Sequence, residues 1–486
     1  MSFKSENRHD ASYDVIIVGA GISGINAAYH VQTKLPGHSY AVLEARNDLG
    51  GTWNLFRYPG IRSDTDLQSF GFSWFPWMEN RAIADGASIV RYLRDAATSK
   101  GIIPHIQFER NLISAEWSSS DHAWTLVVED GGGCNLRIRT SFLILGTGYY
   151  DYKTPLKAQI PGLDNFNGQV IHPQFWPEDL NYKDKEIVII GSGATAITLL
   201  PNLAGKAKKV TMLQRSPGYI MSIDNATGQS WLHRMLPASW SFRLTRWRFI
   251  LMTLCTFYWC RAFPRAARTK LQQAAGAQLP AHVPIDPHFT PRYAPWDQRV
   301  CFSPNGDFFQ AIRDSDAQVV TDRIANIQDD IIDLASGERL RADIIVTATG
   351  LNLKVGAHIK ITVDGESVDI ASKTAWRSAM LSDVPNFAFL IGYTNASWTL
   401  GADVTTQLIC RLLLHLKKKG KSCVVPRPPT SLRPKLLWDL EATYIQESQK
   451  NMPACGDIGP WRGRTNYFYD LWRVKFASLL EGLEVS

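Results

Sequence analysis

Asp14-Val-Ile-Ile-Val-Gly19-Ala-Gly21-Ile-Ser-Gly24 opens a dinucleotide-binding unit, and the reading of the remaining chain turns on it. The run before Gly19 is continuously apolar and β-branched, as in a parallel strand covered on both faces. A helical pattern, Ile25-Asn-Ala-Ala-Tyr-His, follows it. Each glycine has a mechanical reason: Gly19 makes the tight turn, Gly21 lets a pyrophosphate approach the backbone, and Gly24 lets helix and strand pack closely. The helix N-terminus supplies the anion site. A second strand, Tyr40-Ala-Val-Leu-Glu44, ends in an acid twenty residues past Gly24, where a ribose hydroxyl would be held. Strand, glycines, helix, strand and acid in this order predict a bound dinucleotide.

Working outward, Gly50-Gly51-Thr-Trp53-Asn-Leu-Phe-Arg-Tyr58-Pro-Gly-Ile-Arg62-Ser-Asp64 follows the second strand. It falls at the carboxyl edge of a doubly wound sheet, where ligands bind. Aromatics such as Trp53 and Tyr58 most often end in the core. Asp64 is harder to dismiss, because an acid here needs solvent or a cationic partner. Residues 65–140 predict a helix around Ile89–Arg94 and a small antiparallel meander, and Phe142-Leu-Ile-Leu-Gly-Thr-Gly148 returns as a buried strand.

The same signal recurs at Glu186-Ile-Val-Ile-Ile-Gly191-Ser-Gly193-Ala-Thr-Ala196. Here the following strand, Val210–Gln214, ends not in an acid but in Arg215-Ser216. A guanidinium and a hydroxyl bind a 2′-phosphate that a carboxylate would repel, so the second ligand should be NADPH. Two such units, one with an acid at the ribose position and one with an arginine, imply FAD and NADPH, a flavin receiving hydride from a nicotinamide.

The fold class is therefore α/β, with two Rossmann-like domains and a helical insertion. The FAD-binding domain takes residues 1–150 and 351–486, and the NADPH-binding domain residues 186–222 and 297–350. A helical insertion with an active-site loop occupies 223–296, and 151–185 connect the domains. Within that connector Phe166-Asn-Gly168-Gln-Val-Ile-His172-Pro-Gln-Phe-Trp176-Pro177 opposes both regular periodicities and reads as an ordered loop and a hinge. After Gly350 a strand over Val384–Gly392 and an amphipathic helix over Thr405–Lys417 are expected.

A formal charge of +7 over 486 residues is small, and no lysine or arginine run suggests a nucleic-acid track. Seven cysteines without a Cys-x-x-Cys pair argue for a reducing, cytoplasmic setting and against a structural metal. The longest apolar run, Phe249–Cys260, is too short to span a bilayer. It reads as a buried helix, with weak membrane-surface contact left open by Arg248, Arg261, Trp247 and Trp259.

At this point the chain resembles the flavoprotein monooxygenases and, within them, the type I Baeyer-Villiger monooxygenases. Phe166, Gly168, His172, Trp176 and Pro177 fit that group's fingerprint. Gly50-Gly51, Trp53, Tyr58, Pro59, Gly60 and Asp64 match a second motif, and Asp343 with Ala348-Thr349-Gly350 a third. Phe289–Cys301 and Gly392–Trp398 look most like the subgroup that includes the ethionamide-activating monooxygenase.

The resemblance implies that NADPH reduces FAD, that O2 adds to the reduced flavin, and that the flavin peroxide converts a ketone to an ester or lactone and also oxidises sulfides. It makes Arg299 the charge that holds the peroxide and Asp64 the carboxylate that positions it. His172 is read as structural rather than as a general base, and Trp398 as a wall of the substrate pocket. The rivals are an N- or S-oxidising flavin monooxygenase of the same fold and a flavoprotein reductase, the latter usually carrying the Cys-x-x-Cys absent here.

Overall fold

The computed structural model describes residues 9–226, 237–438 and 443–486. The part of the expected insertion at 227–236 lies outside them.

Two parallel-strand sheets organise the α/β fold. In the first, β1 (His9–Val18), β2 (Tyr40–Leu43) and β3 (Ile106–Gln107) run parallel in that order. Ile16 and Ile17 of β1 are completely buried, one toward each face, each worth about 1.5–3 kcal/mol of burial. The meander of β4 (Arg110–Ser118), β5 (Ala123–Asp130) and β6 (Asn135–Leu145) is antiparallel, and β6 comes back to pair in parallel with β1.

In the second sheet β7 (Gln169–Ile171), β8 (Glu186–Ile190) and β9 (Lys209–Gln214) join two later strands, all parallel. The order across the sheet is Ala317–Thr321, β9, β8, Ile344–Thr347, β7. Helices Ile22–Lys34 and Ala194–Leu203 follow the two glycine loops.

Five expectations need correction. The fingerprint segment is not all loop, since its centre is β7, the edge strand of the second sheet. Phe142 does not begin a separate strand; it lies inside the eleven-residue β6, whose first half alternates in burial while its last four residues are buried without a break. The later strand is only Phe387–Phe389, and the later helix starts earlier, as Trp398–Lys418. Finally, the Phe249–Cys260 run lies in helix Ala238–Ala262 but is not buried all round, because only one side meets protein; Leu251 and Met252 face out.

The chain passes between the sheets twice, and the two passages are bonded to each other. Asp151 N–H donates to Asn352 O at 2.8 Å and Lys354 N–H to Tyr149 O at 2.9 Å, an antiparallel bridge centred on Tyr150 and Leu353.

Candidate active site

Both glycine loops leave room for an anion. A Cβ on Gly24 would stand 1.8 Å from the Gly19 carbonyl, so helix and strand touch there through bare backbone. Gly21 and Gly51 face each other with only backbone between them, a Cβ on Gly21 lying 3.4 Å from the Gly51 Cα. A Cβ on Gly193 would meet nothing within 4 Å. Gly21 and Gly193 are the N-caps of their helices, neither of which has a side-chain cap or an acid in its first turn. The free N–H groups and the dipole of each helix thus meet an open, side-chain-free slot, which suits the pyrophosphate of a dinucleotide.

The ends of the second strands differ as the sequence suggests. Glu44 is buried; its Oε2 accepts from Ala20 N–H at 2.7 Å and its Oε1 from Arg46 N–H at 3.1 Å, so the carboxylate closes over the first glycine loop. Arg215 and Ser216 stand exposed beyond β9, and the Ser192 hydroxyl donates to Ser216 O at 2.8 Å, tying the second glycine loop to that strand end.

The Gly50–Asp64 loop links the two units. Trp53 packs edge-on against Phe70 at 5.8 Å. Tyr58 is buried, its hydroxyl near Thr195 in the first turn of the Ala194–Leu203 helix, and burial raises it well above the ordinary phenol range. Gly60 is pressed against Asn202 of the same helix. Arg62 reaches Asp307 with both guanidinium nitrogens. The contacts of Tyr58, Gly60 and Arg62 are not visible in sequence, because their partners lie more than a hundred positions away.

The last residue of this loop, Asp64, accepts from Arg299 Nη1. Attraction to Asp64 above all, opposed by burial, keeps the Arg299 guanidinium above its ordinary pKa, with Tyr149, Tyr444 and Tyr150 adding in the same sense. The guanidinium is therefore a permanent cation. Burial pushes the neighbouring Cys301 up to about 12, so it stays a thiol, the less oxidisable form. Tyr149 and Tyr150 share a 2.6 Å hydroxyl–hydroxyl bond, and burial raises both.

Tyr149 leads to a cavity of about 440 Å³, walled by Phe257, Trp296, Gly392, Asn395, Trp438 and Arg464. It meets Trp438 edge-on at 5.1 Å and stacks on Trp398 at 4.6 Å. Trp398 stands one ring behind the wall, its indole N–H donating to Ser23 Oγ at 2.8 Å.

The fingerprint residues are apart from this cluster. Phe166 and Trp176 are buried, and Pro177 follows Trp176 where the chain leaves for β8. A Cβ on Gly168 would lie 2.4 Å from Asp343 O. His172 Nδ1 accepts from Gln174 N–H at 3.3 Å, which leaves Nε2 to donate to Gly350 O, also 3.3 Å. Burial lowers its pKa despite that carbonyl. Gln174 Nε2 then donates to Asp151 O at 2.7 Å, joining the fingerprint to the passage between sheets.

Residues 12–242 match the flavin-binding monooxygenase-like family. The chain is 44% identical over 474 residues to the FAD-containing monooxygenase EthA of Mycolicibacterium smegmatis, covering 96% of each, so it belongs to that family of flavin monooxygenases. More particularly, it is 41% identical to the putative FAD-containing monooxygenase MymA of Mycobacterium tuberculosis, covering 96% of this chain and 94% of the relative. It is also 40% identical to the probable FAD-binding monooxygenase AlmA of Acinetobacter baylyi, covering 97% and 95%. Its fold is shared with an oxidized steroid monooxygenase bound to NADP (TM-score 0.75, 18% identity, 98% of this chain and 99% of that one). It is shared equally with a cyclohexanone monooxygenase holding ε-caprolactone (0.74, 19%, 98% and 100%).

Proposed function

We propose that the protein is an FAD- and NADPH-dependent Baeyer-Villiger monooxygenase that uses O2 to convert ketones to esters or lactones, with sulfides as a second substrate class. The observation that carries this reading is the Gly50–Asp64 loop, which faces the first glycine loop through Gly51, packs on the second dinucleotide helix through Tyr58, and ends on the carboxylate paired with Arg299. The named relatives and the solved neighbours support the chemistry class.

When bound, the cofactors supply the hydride and the electrons that activate O2. The chain's own residues do the rest. Gly19, Gly21 and Gly24 admit the FAD pyrophosphate and Glu44 takes the ribose; Gly191, Gly193 and Ala196 do the same for NADPH, with Arg215 and Ser216 on the 2′-phosphate. Arg299 holds negative charge as it develops on oxygen, and Asp64 fixes where that guanidinium points. Because the cation is permanent and prepositioned, it needs no reorganisation at the moment of reaction. His172 is a neutral anchor of the fingerprint and takes no proton from substrate.

The test is a panel of ketones incubated with purified protein, NADPH and O2, with products identified by mass. NADPH-dependent esters or lactones are expected. Sulfoxides or N-oxides without any ester across the panel would overturn the Baeyer-Villiger assignment in favour of a heteroatom-oxidising monooxygenase.

A further inference from the structure

Behind the wall of the 440 Å³ cavity the chain buries a guanidinium that no carboxylate bonds among the described residues. Ala375–Trp376 and Met380–Leu381 form a short hairpin, and the two residues that turn it, Arg377 and Ser378, both take φ of +49°. Neither is the glycine or asparagine that accepts this conformation readily, so the surroundings hold the turn in place. Both side chains go inward: Arg377 is 9% exposed and Ser378 1%.

Arg377 Nη2 donates to Ser478 O at 2.5 Å, and its guanidinium lies over the Trp376 ring at 4.9 Å. Its Nε and Nη1 have no partner among the described residues, and neither has the Ser378 hydroxyl. Arg464 repeats the pattern. Its Nη2 reaches Ser378 O, Gly401 O and Thr405 Oγ1, while its buried Nε has no such partner.

Arg377, Ser378 and Arg464 line one cavity of about 20 Å³ between helices Trp398–Lys418 and Tyr467–Phe476. The other charged groups on it are Arg462, Arg473 and a single carboxylate, Asp470. That carboxylate already accepts from the Tyr393 hydroxyl at 2.8 Å, and burial raises its pKa, toward the neutral acid. Burial, and then repulsion by Arg473, push Arg377 down to about 10, although Glu481 attracts it from a distance.

A buried cation without a counter-charge is costly. Three N–H groups and one hydroxyl also make a set that calls for an acceptor. Water would bring two further donors, for which this set offers only the serine oxygen, whereas an anion brings none. The space admits about one water-sized particle, too little for phosphate, sulfate or an organic acid.

We propose that this cavity binds one chloride ion, held by the Arg377 guanidinium, the Ser378 hydroxyl and Arg464 Nε, which balances the charge gathered between the two helices. Ser378 and Arg464 also line the 440 Å³ cavity, so the ion braces that wall from behind. The site stands independently of the reaction assigned to the protein.

The experiment is thermal unfolding of the flavin-loaded chain, followed by flavin fluorescence, in sodium gluconate, chloride or bromide at one ionic strength. Gluconate is too large to enter. Chloride and bromide should raise Tm by about 1–3 °C along a saturating curve that gluconate does not reproduce. Equal Tm in the three salts would overturn the site. Arg377→Met, which removes the charge and keeps most of the bulk, should melt at one temperature in all three. Ser378→Ala should shift the chloride midpoint about tenfold upward, the worth of one hydrogen bond to a charged group. A wild-type chloride response in both variants would overturn the assignment. Crystals grown in bromide read the site without any substitution: an anomalous peak between Arg377 and Arg464 is expected, and bromide found only on the surface would refute it.

Discussion

Arg299 donates to Asp64 across 235 positions of sequence, joining the loop before Cys301 to the end of the loop that faces the first glycine turn. The pair makes the positive charge of the site a property of the closed fold. Arg299→Ala should lower ester formation by about 10²–10³-fold while NADPH still reduces the flavin at close to the wild-type rate. Stopped-flow reduction beside product analysis separates the two. Asp64→Asn should cost less, because the cation survives and only its aim is lost.

Arg215 is exposed, with no side-chain partner among the described residues, and the proposed function puts the 2′-phosphate of NADPH on it. Its replacement by glutamine should raise KM for NADPH about 10–100-fold, the worth of charge-assisted hydrogen bonds, and leave KM for NADH nearly unchanged. An equal rise for both cofactors would remove the 2′-phosphate assignment.

Gly193 and Gly168 should respond to alanine in opposite ways. At Gly193 a methyl group meets only open space, so folding should be untouched while KM for NADPH rises. At Gly168 it would strike Asp343 O and the Phe166 ring, a clash costing about 1–3 kcal/mol and visible as a lower melting temperature. Loss of stability at Gly193, or none at Gly168, would contradict this division.

His172 predicts a pH dependence of stability. Its folded-state pKa lies below the ordinary 6.5, burial outweighing the Gly350 carbonyl, so the unfolded chain takes up the proton first. Its contribution is therefore full above about pH 6.5 and is lost as the pH falls through the folded value. Wild type should lose more thermal stability than His172→Gln between about pH 7 and pH 5. Parallel losses in the two proteins would assign the effect to other groups.

The strand–glycine–helix units were legible because their signals are local: apolar runs, a turn that only glycine permits and a helix start. β7 was not, since Gln169-Val-Ile is too short to show a period, and it becomes a strand only because Gly168 lets the chain lie against Asp343. β6 was split in two by its own pattern. Its first half alternates because one face of the meander is wet, whereas its last residues lie between β1 and Phe387–Phe389 and are buried on both faces. Arg299 was matched to Asp64 only through family resemblance. The contacts of Tyr58 with Thr195 and of Arg62 with Asp307 carry no sequence signal at all. The outward face of Ala238–Ala262 was not legible, because an apolar run does not say which of its sides meets the rest of the protein.

The two passages between the sheets, bonded through Asp151 with Asn352 and Lys354 with Tyr149, make a two-ply strap. Plies joined edge to edge resist shear in their plane, so neither passage can slide along the other without breaking both bonds. Gly148 and Gly350, with φ of +74° and +117°, stand one on each ply, where the backbone takes a conformation that favours glycine.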